Sequence, residues 1–163
     1  MRILGLDPGT ATTGYGIIDV IDGEMQVVTY GVIATPAGLP TPARLLAIHE
    51  ALQALLTTYQ PDAAGVEELF FGRNITTAIS VGQARGVLLL ALAQAGLPVA
   101  EFSPPKIKEA ITGYGKADKQ QMQMMVRNLL NLAETPRPDD AADGLAVAIT
   151  CYQYHRYSSL MAE

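Results

Sequence analysis

Cysteine occurs once in this chain, at Cys151, and histidine twice, at His49 and His155. A lone cysteine excludes an internal disulfide and suits a reducing, cytoplasmic compartment. So few soft ligands, never clustered, exclude a zinc site of the usual Cys and His kind. Long hydrophobic runs are missing too. Val87 to Ala93 is the most apolar stretch, far short of the ~20 residues of a membrane span, and Gly96-Leu97-Pro98 follows it. Leu6-Asp7-Pro8 breaks the first apolar run almost at once, so no secretory leader and no membrane partner are expected. Positive charge is also scarce. Eleven Lys and Arg face sixteen Asp and Glu, a net of −5, and a basic domain is the usual mark of a nucleic-acid binder.

The distribution of charge reverses that first impression. Between Arg73 and Arg137 stand eight Lys or Arg against four acids, a local +4, while the remainder holds three against twelve, −9, restoring −5. A basic half beside an acidic group is compatible with a phosphodiester substrate, as it is with an ordinary mixed surface. The 163 residues, 49% apolar and 17% charged, suffice for one globular domain with a real core. It is expected over residues 1–157, with a short tail at 158–163.

Hydrophobic patterning predicts the elements in order. Arg2 to Asp7 reads as a buried strand, with turn chemistry in Pro8-Gly9-Thr10. Gly14 to Val20 and Met25 to Thr35 read as two strands joined at Asp22-Gly23, a strong hairpin signal. Thr41-Pro42 opens a helix whose apolar face is Leu45, Leu46, Ile48, Leu52, Leu55 and Leu56, stopped by Gln60-Pro61. Ala63 to Glu67 is a strand that should return parallel by a right-handed crossover. Phe70 to Asn74 is a loop, and a second helix runs from about Thr76 to Ala95. The latter half of that helix is apolar nearly all round, which suggests burial on two sides, in the core or against a partner subunit. Val99 to Phe102 is the last strand. Ser103 caps a short helix through Ile111, Asp118 with Gln121 forms a capping box for a helix to Leu132, and Asp139 begins the final helix as its N-cap. The fold class is α/β, a five-stranded mixed sheet flanked by helices.

Four acids stand at element ends in this scheme: Asp7, Glu67, Asp140 and Asp143. Asp7 and Glu67 close their strands, at the carboxyl edge where open α/β sheets place ligands. Asp140 and Asp143 share a helix face by their spacing. Two unit charges about 4 Å apart repel by roughly 4 kcal/mol at an effective dielectric of ~20, so such a cluster calls for a divalent cation. Oxygen ligands of this kind suit hard Mg²⁺. His49 and His155 read as surface residues, and Cys151 with Met122, Met124 and Met125 as packing.

These motifs together resemble the RuvC family of bacterial Holliday-junction resolvases, within the ribonuclease-H-like superfamily. The resemblance rests on Leu4-Gly5-Leu6-Asp7-Pro8-Gly9-Thr10 with Thr13-Gly14-Tyr15-Gly16, on Val66-Glu67-Glu68-Leu69-Phe70, on Gly82-Gln83-Ala84-Arg85-Gly86, and on Asp140-Ala141-Ala142-Asp143-Gly144-Leu145-Ala146. It implies a ribonuclease-H-like sheet of order 3-2-1-4-5 and catalytic, metal-holding roles for Asp7, Glu67, Asp140 and Asp143. Glu67 is preferred over Glu68 on the family's Glu-x-x-Phe motif and because neighbours in a strand face opposite ways. Implied with these are two Mg²⁺ ions per site, for which Mn²⁺ substitutes, and paired symmetric nicks leaving a 5′-phosphate and a 3′-hydroxyl. The resemblance also implies a preference for thymines at the cut, a homodimer, and delivery by the RuvA–RuvB branch-migration complex. Contacts to a four-way DNA junction would come from Arg73, Lys108, Lys116 and Lys119. Phe70 would stack on an unpaired base, with Phe71 as a loop anchor.

Two other classes remain open on the residues alone. One is an ATP-binding domain of the actin, heat-shock-chaperone and sugar-kinase kind, which shares a turn like Asp7-Pro8-Gly9-Thr10. The other is a non-catalytic junction-binding module.

Overall fold

The computed structural model describes residues 1–69 and 75–161. Its elements are β1 (Arg2–Asp7), β2 (Thr12–Ile21), β3 (Glu24–Ala34), α1 (Thr41–Tyr59), β4 (Ala63–Glu67), α2 (Ile75–Gln94), β5 (Val99–Phe102), α3 (Pro104–Thr112), α4 (Lys119–Leu129) and α5 (Asp139–Met161). The sheet order is β3-β2-β1-β4-β5, the expected ribonuclease-H-like order. β1 and β2 are antiparallel, as are β2 and β3; β4 and β5 run parallel to β1. Asp22 and Gly23 both take positive φ, 53° and 85°, the twist that closes a tight hairpin between β2 and β3.

Strand alternation divides the core into two. Leu4, Leu6 and Ile17 face α1 and α2 with Ile48, Leu52, Leu88 and Leu92. Ile3 and Ile18 face the other way, onto α5, α3 and α4, with Leu145, Ile149, Ile107 and Val126. On this second face α5 lies almost on the sheet backbone. A methyl group at Gly5 would collide with backbone atoms of Gly144 and Ala148, and one at Gly14 with the carbonyl of Asp140. Gly14 pairs directly with Asp7 across the β1–β2 ladder. The N-terminal turn of α5 is therefore seated beside the end of β1 by backbone contact.

Several local expectations change. The α2 helix is 20 residues long, sufficient in length and apolarity to cross a membrane, yet Ala84, Leu88, Ala91 and Leu92 pack into the core. It is not buried all round: Ile79 is 59% and Leu90 54% exposed. Leu46, expected on the inner face of α1, is 56% exposed, because its position in the 3.6-residue period lies opposite Ile48 and Leu52. Met124 is likewise exposed.

The capping box is present, with Gln121 N–H donating to Asp118 and Asp118 N–H to Gln121. The helix it opens stops at Leu129 rather than Leu132, as Asn131 takes a left-handed φ of 50° that ends the helical path. Ser103 makes no side-chain cap bond. Pro104 and Pro105 carry no N–H and so remove two of the donors that a cap would satisfy. Asp139 is not a cap but part of the first turn of α5, and that helix continues through residues 158–161 of the expected tail.

Candidate metal-dependent nuclease site

The four acids arrive from three directions. Asp7 ends β1 and Glu67 ends β4, neighbouring parallel strands paired from Ile3 with Ala63 to Leu6 with Val66. Gly65 lies under Val147 and Cys151 of α5, so Glu67, two residues on, projects toward the same helix. Glu68 falls on the other parity. Asp140 and Asp143 descend from α5. Asp7, Asp140 and Asp143 each offer a carboxylate oxygen, all within 4.8 Å of one another. Glu67 stands outside this trio but joins Asp7 and Asp143 in a cleft of about 250 Å³ whose other walls include Ile107, Lys108 and Lys119.

Electrostatics in the cleft follow from burial. Burial, then the charge of Glu67, a hydrogen bond to it, and the charges of Asp143 and Asp140 push Asp7 up to about 9. Glu67 is raised chiefly by burial; a hydrogen bond from Asp7 opposes this, Asp143 adds to it, and Lys108 opposes it. Asp143 is also raised by burial, against the pull of Lys119 and with repulsion from Asp140 and Asp139. Burial and mutual repulsion therefore favour a proton on the hydrogen-bonded Asp7–Glu67 pair of the bare protein, where a cation would favour ionisation. A donor set of carboxylate oxygens with no thiol or imidazole fits a hard divalent ion. Cys151 is buried, its thiol pushed up to about 12, and serves as packing.

The basic residues divide. Lys119 sits 3.3 Å from Asp139 and 3.9 Å from Asp143. Burial works to lower its pKa, but Asp143, Asp139 and Asp140 outweigh it and leave Lys119 raised. Lys108 lines the same cleft, whereas Lys116 is exposed in the α3–α4 connection and does not line it. Phe70, Phe71 and Arg73 lie outside the described residues. Asp139 bonds Arg137 and Lys119, leaving Asp140 to the carboxylate trio.

Two arginines escaped the sequence reading. Arg85 of α2 donates from Nε to the carbonyl of Glu67 at 3.1 Å and pairs with Glu101 of β5, so it holds the end of β4. Its only signal was membership of the Gly82 to Gly86 motif. Arg44, at the start of α1, lines a second cavity of about 550 Å³ with Thr10, Thr12, Thr76, Ser80 and Asp140. Nothing in its sequence context marked it, since it lies in the acidic half of the chain.

Comparison with known proteins matches this arrangement. The family model described as crossover junction endodeoxyribonuclease RuvC covers residues 3–151. The RuvC protein of Chloroflexus aggregans is 58% identical over 154 residues, 94% of this chain and 93% of its own. The Thermus thermophilus RuvC structure superposes with a TM-score of 0.90 at 36% identity, covering 97% of each chain. The same protein in complex with Holliday junction substrate gives 0.91 over 97% and 96%. With its sheet order, its glycine-seated last helix and its converging carboxylates, the chain belongs to the RuvC family of crossover junction endodeoxyribonucleases.

Proposed function

We propose that this chain is a magnesium-dependent, structure-selective endonuclease that resolves Holliday junctions by paired symmetric nicks during recombination and DNA repair. The observation that carries the reading is the meeting of Asp7, Asp140 and Asp143 within 4.8 Å, with Glu67 in the same cleft. Hard carboxylate oxygens of these four would hold two Mg²⁺ ions, and Mn²⁺ would substitute. When bound, the ions supply an activated water and charge stabilisation on the departing 3′ oxygen, leaving a 5′-phosphate and a 3′-hydroxyl.

The chain's own groups bind and orient. Lys108 and Lys119 at the cleft meet backbone phosphates, with exposed Lys116 further along a duplex arm; Arg73, outside the described residues, is kept as a further phosphate contact on sequence grounds alone. Phe70 stacks on an unpaired base at the junction centre. A four-way junction has two-fold related strands, so two sites in a symmetric homodimer match its geometry. The exposed Ile79 and Leu90 on α2 support that helix as the contact between copies. Delivery to the junction would fall to RuvA–RuvB, in the cytoplasm.

Digesting a mobile four-way junction with Mg²⁺ and with EDTA, and mapping the nicks on each strand, tests the reading. Symmetric metal-dependent nicks with ligatable ends are expected. Tight junction binding without nicks would leave a binding module instead, and micromolar ATP affinity without cutting would leave the nucleotide-binding alternative.

A further inference from the structure

Asp140 belongs to two places at once. Its carboxylate joins the trio with Asp7 and Asp143, and it also forms part of the wall of the cavity lined by Thr10, Thr12, Arg44, Thr76 and Ser80. That cavity is thus tied to the carboxylate trio through Asp140. Lys108 and Lys119 line the cleft that holds Asp7, Glu67 and Asp143, and Arg44 lines the cavity that Asp140 borders.

The Arg44 side is built for an anion. Arg44 Nε donates to Thr35 Oγ1 at 2.8 Å, and Nη2 reaches the Thr35 carbonyl at 3.4 Å. Thr35 Oγ1 in turn donates to the carbonyl of Thr10 at 2.6 Å. Thr35 and Thr10 are both buried, so the guanidinium is braced from behind by a saturated network. Bracing takes two of its five N–H donors. None of the ion pairs among the described residues involves Arg44. A fixed guanidinium that lines a cavity with Thr10, Thr12, Thr76 and Ser80, and that makes no ion pair with Asp140 in the same wall, matches the geometry of a phosphate oxygen pair. Thr10 is locked to Ser80, its Oγ1 lying 2.7 Å from the Ser80 carbonyl and 2.5 Å from Ser80 Oγ. That tie joins the turn after β1 to α2 and keeps the cavity walls together.

We propose that this cavity is a subsite for a backbone phosphate of the cleaved strand, adjacent to the scissile linkage, with Arg44 as its charged contact. The inference rests on the nuclease reading above. Bracing by Thr35 makes the contact specific to arginine: lysine keeps the charge but has no Nε to anchor and no planar fork.

The test pairs protein variants with chemically neutralised DNA. Junctions carrying single methylphosphonate linkages, stepped outward from the nick on each side, are bound in EDTA to wild type, Arg44→Met and Arg44→Lys across a range of salt. Arg44→Met is expected to bind roughly tenfold more weakly, with the slope of log K against log salt reduced by about one contact. One methylphosphonate beside the nick should weaken wild type by a similar factor and leave Arg44→Met unaffected. Arg44→Lys should retain the slope while losing affinity. An unchanged slope in Arg44→Met, or equal penalties from every methylphosphonate in both proteins, overturns the subsite. If Arg44→Met proves unfolded by its melting curve, the scan on wild type and Arg44→Lys decides. A neutralised linkage beside the nick that costs neither protein affinity overturns it. Wild-type cutting of the unmodified junction with Mg²⁺ is scored separately, so loss of the nuclease reading is not confused with loss of the subsite.

Discussion

The two faces of the sheet are packed on different principles. Against α1 and α2 the strands offer Leu4, Leu6 and Ile17, and the helices answer with Leu52, Leu88 and Leu92. Against α5 the central strands offer Gly5, Gly14, Gly16 and Gly65; at Gly5 and Gly14 backbone meets backbone, and at Gly16 and Gly65 side chains of the helix press onto the strand. Interdigitated aliphatic side chains can repack around a changed neighbour at modest cost. Backbone atoms in contact have nowhere to go. The face that tolerates least is the one that carries Asp140 and Asp143 to Asp7, which suggests that close packing there serves to position oxygens within coordination distance.

Neutralising one acid separates charge from packing and should have the largest effect. Asp7→Asn is expected to reduce cutting by at least about 10²–10³-fold, the scale of losing a main electrostatic contact to the transition state. Junction binding in EDTA should stay near wild type; binding lost together with cutting would make Asp7 a structural residue. Next in size is a contrast between the faces. Gly5→Ala should destabilise by about 1–3 kcal/mol or more and displace α5, whereas Leu52→Met on the opposite face should cost less than ~1.5 kcal/mol. Equal melting temperatures for the two variants would mean that the two faces tolerate change alike.

Protonation offers a third comparison, confined to the glycine face. In the metal-free protein Asp7 is held near 9 against an ordinary value of 3.8, so the folded state keeps a proton that the unfolded chain has released. Stability from this group is complete below its unfolded value and is lost as pH rises toward its folded one. Without metal, the melting temperature should therefore fall as pH rises from about 5 to 8, and Mg²⁺ should flatten the decline. Asp143→Asn, which removes a repelling charge, should melt no lower than wild type without metal. A drop of several degrees would contradict the crowding of these carboxylates. The smallest effect is expected at the rim. Lys119→Met should lower the salt slope of junction binding by about one phosphate, and an unaltered slope would take Lys119 off the DNA surface.

Much of the frame was legible because local chemistry was unambiguous. β1, β4 and β5 occupy the expected residues, since short apolar runs bounded by turn residues leave few alternatives. The choice of Glu67 over Glu68 rested on the Glu-x-x-Phe motif together with alternation, and Gly65 facing α5 gives Glu67 the parity of that face. Where periodicity was diluted, the reading slipped. Leu46 and Leu90 are apolar but lie on the outer faces of their helices. Asp139 looked like a cap because Asp favours that position, yet it lies in the first turn of α5 and pairs with Lys119 and Arg137. Arg44 and Arg85 could not be found from spacing. Their partners, Thr35 and Glu67, are set by helix docking rather than by sequence distance.

By itself the sequence determined where the strands would lie along the chain, that four acids would stand at element ends, and that the donor set would be oxygen. Those properties are local, fixed by the apolar runs, the turn residues and the identities of the side chains. Only tertiary structure decided that Asp7, Asp140 and Asp143 converge, that Glu67 shares their cleft without joining the trio, and that Asp140 also borders the Arg44 cavity. The physical reason is the glycine contact between α5 and the sheet. It depends on two surfaces far apart in the chain being bare of side chains at the same place, which no single segment can specify.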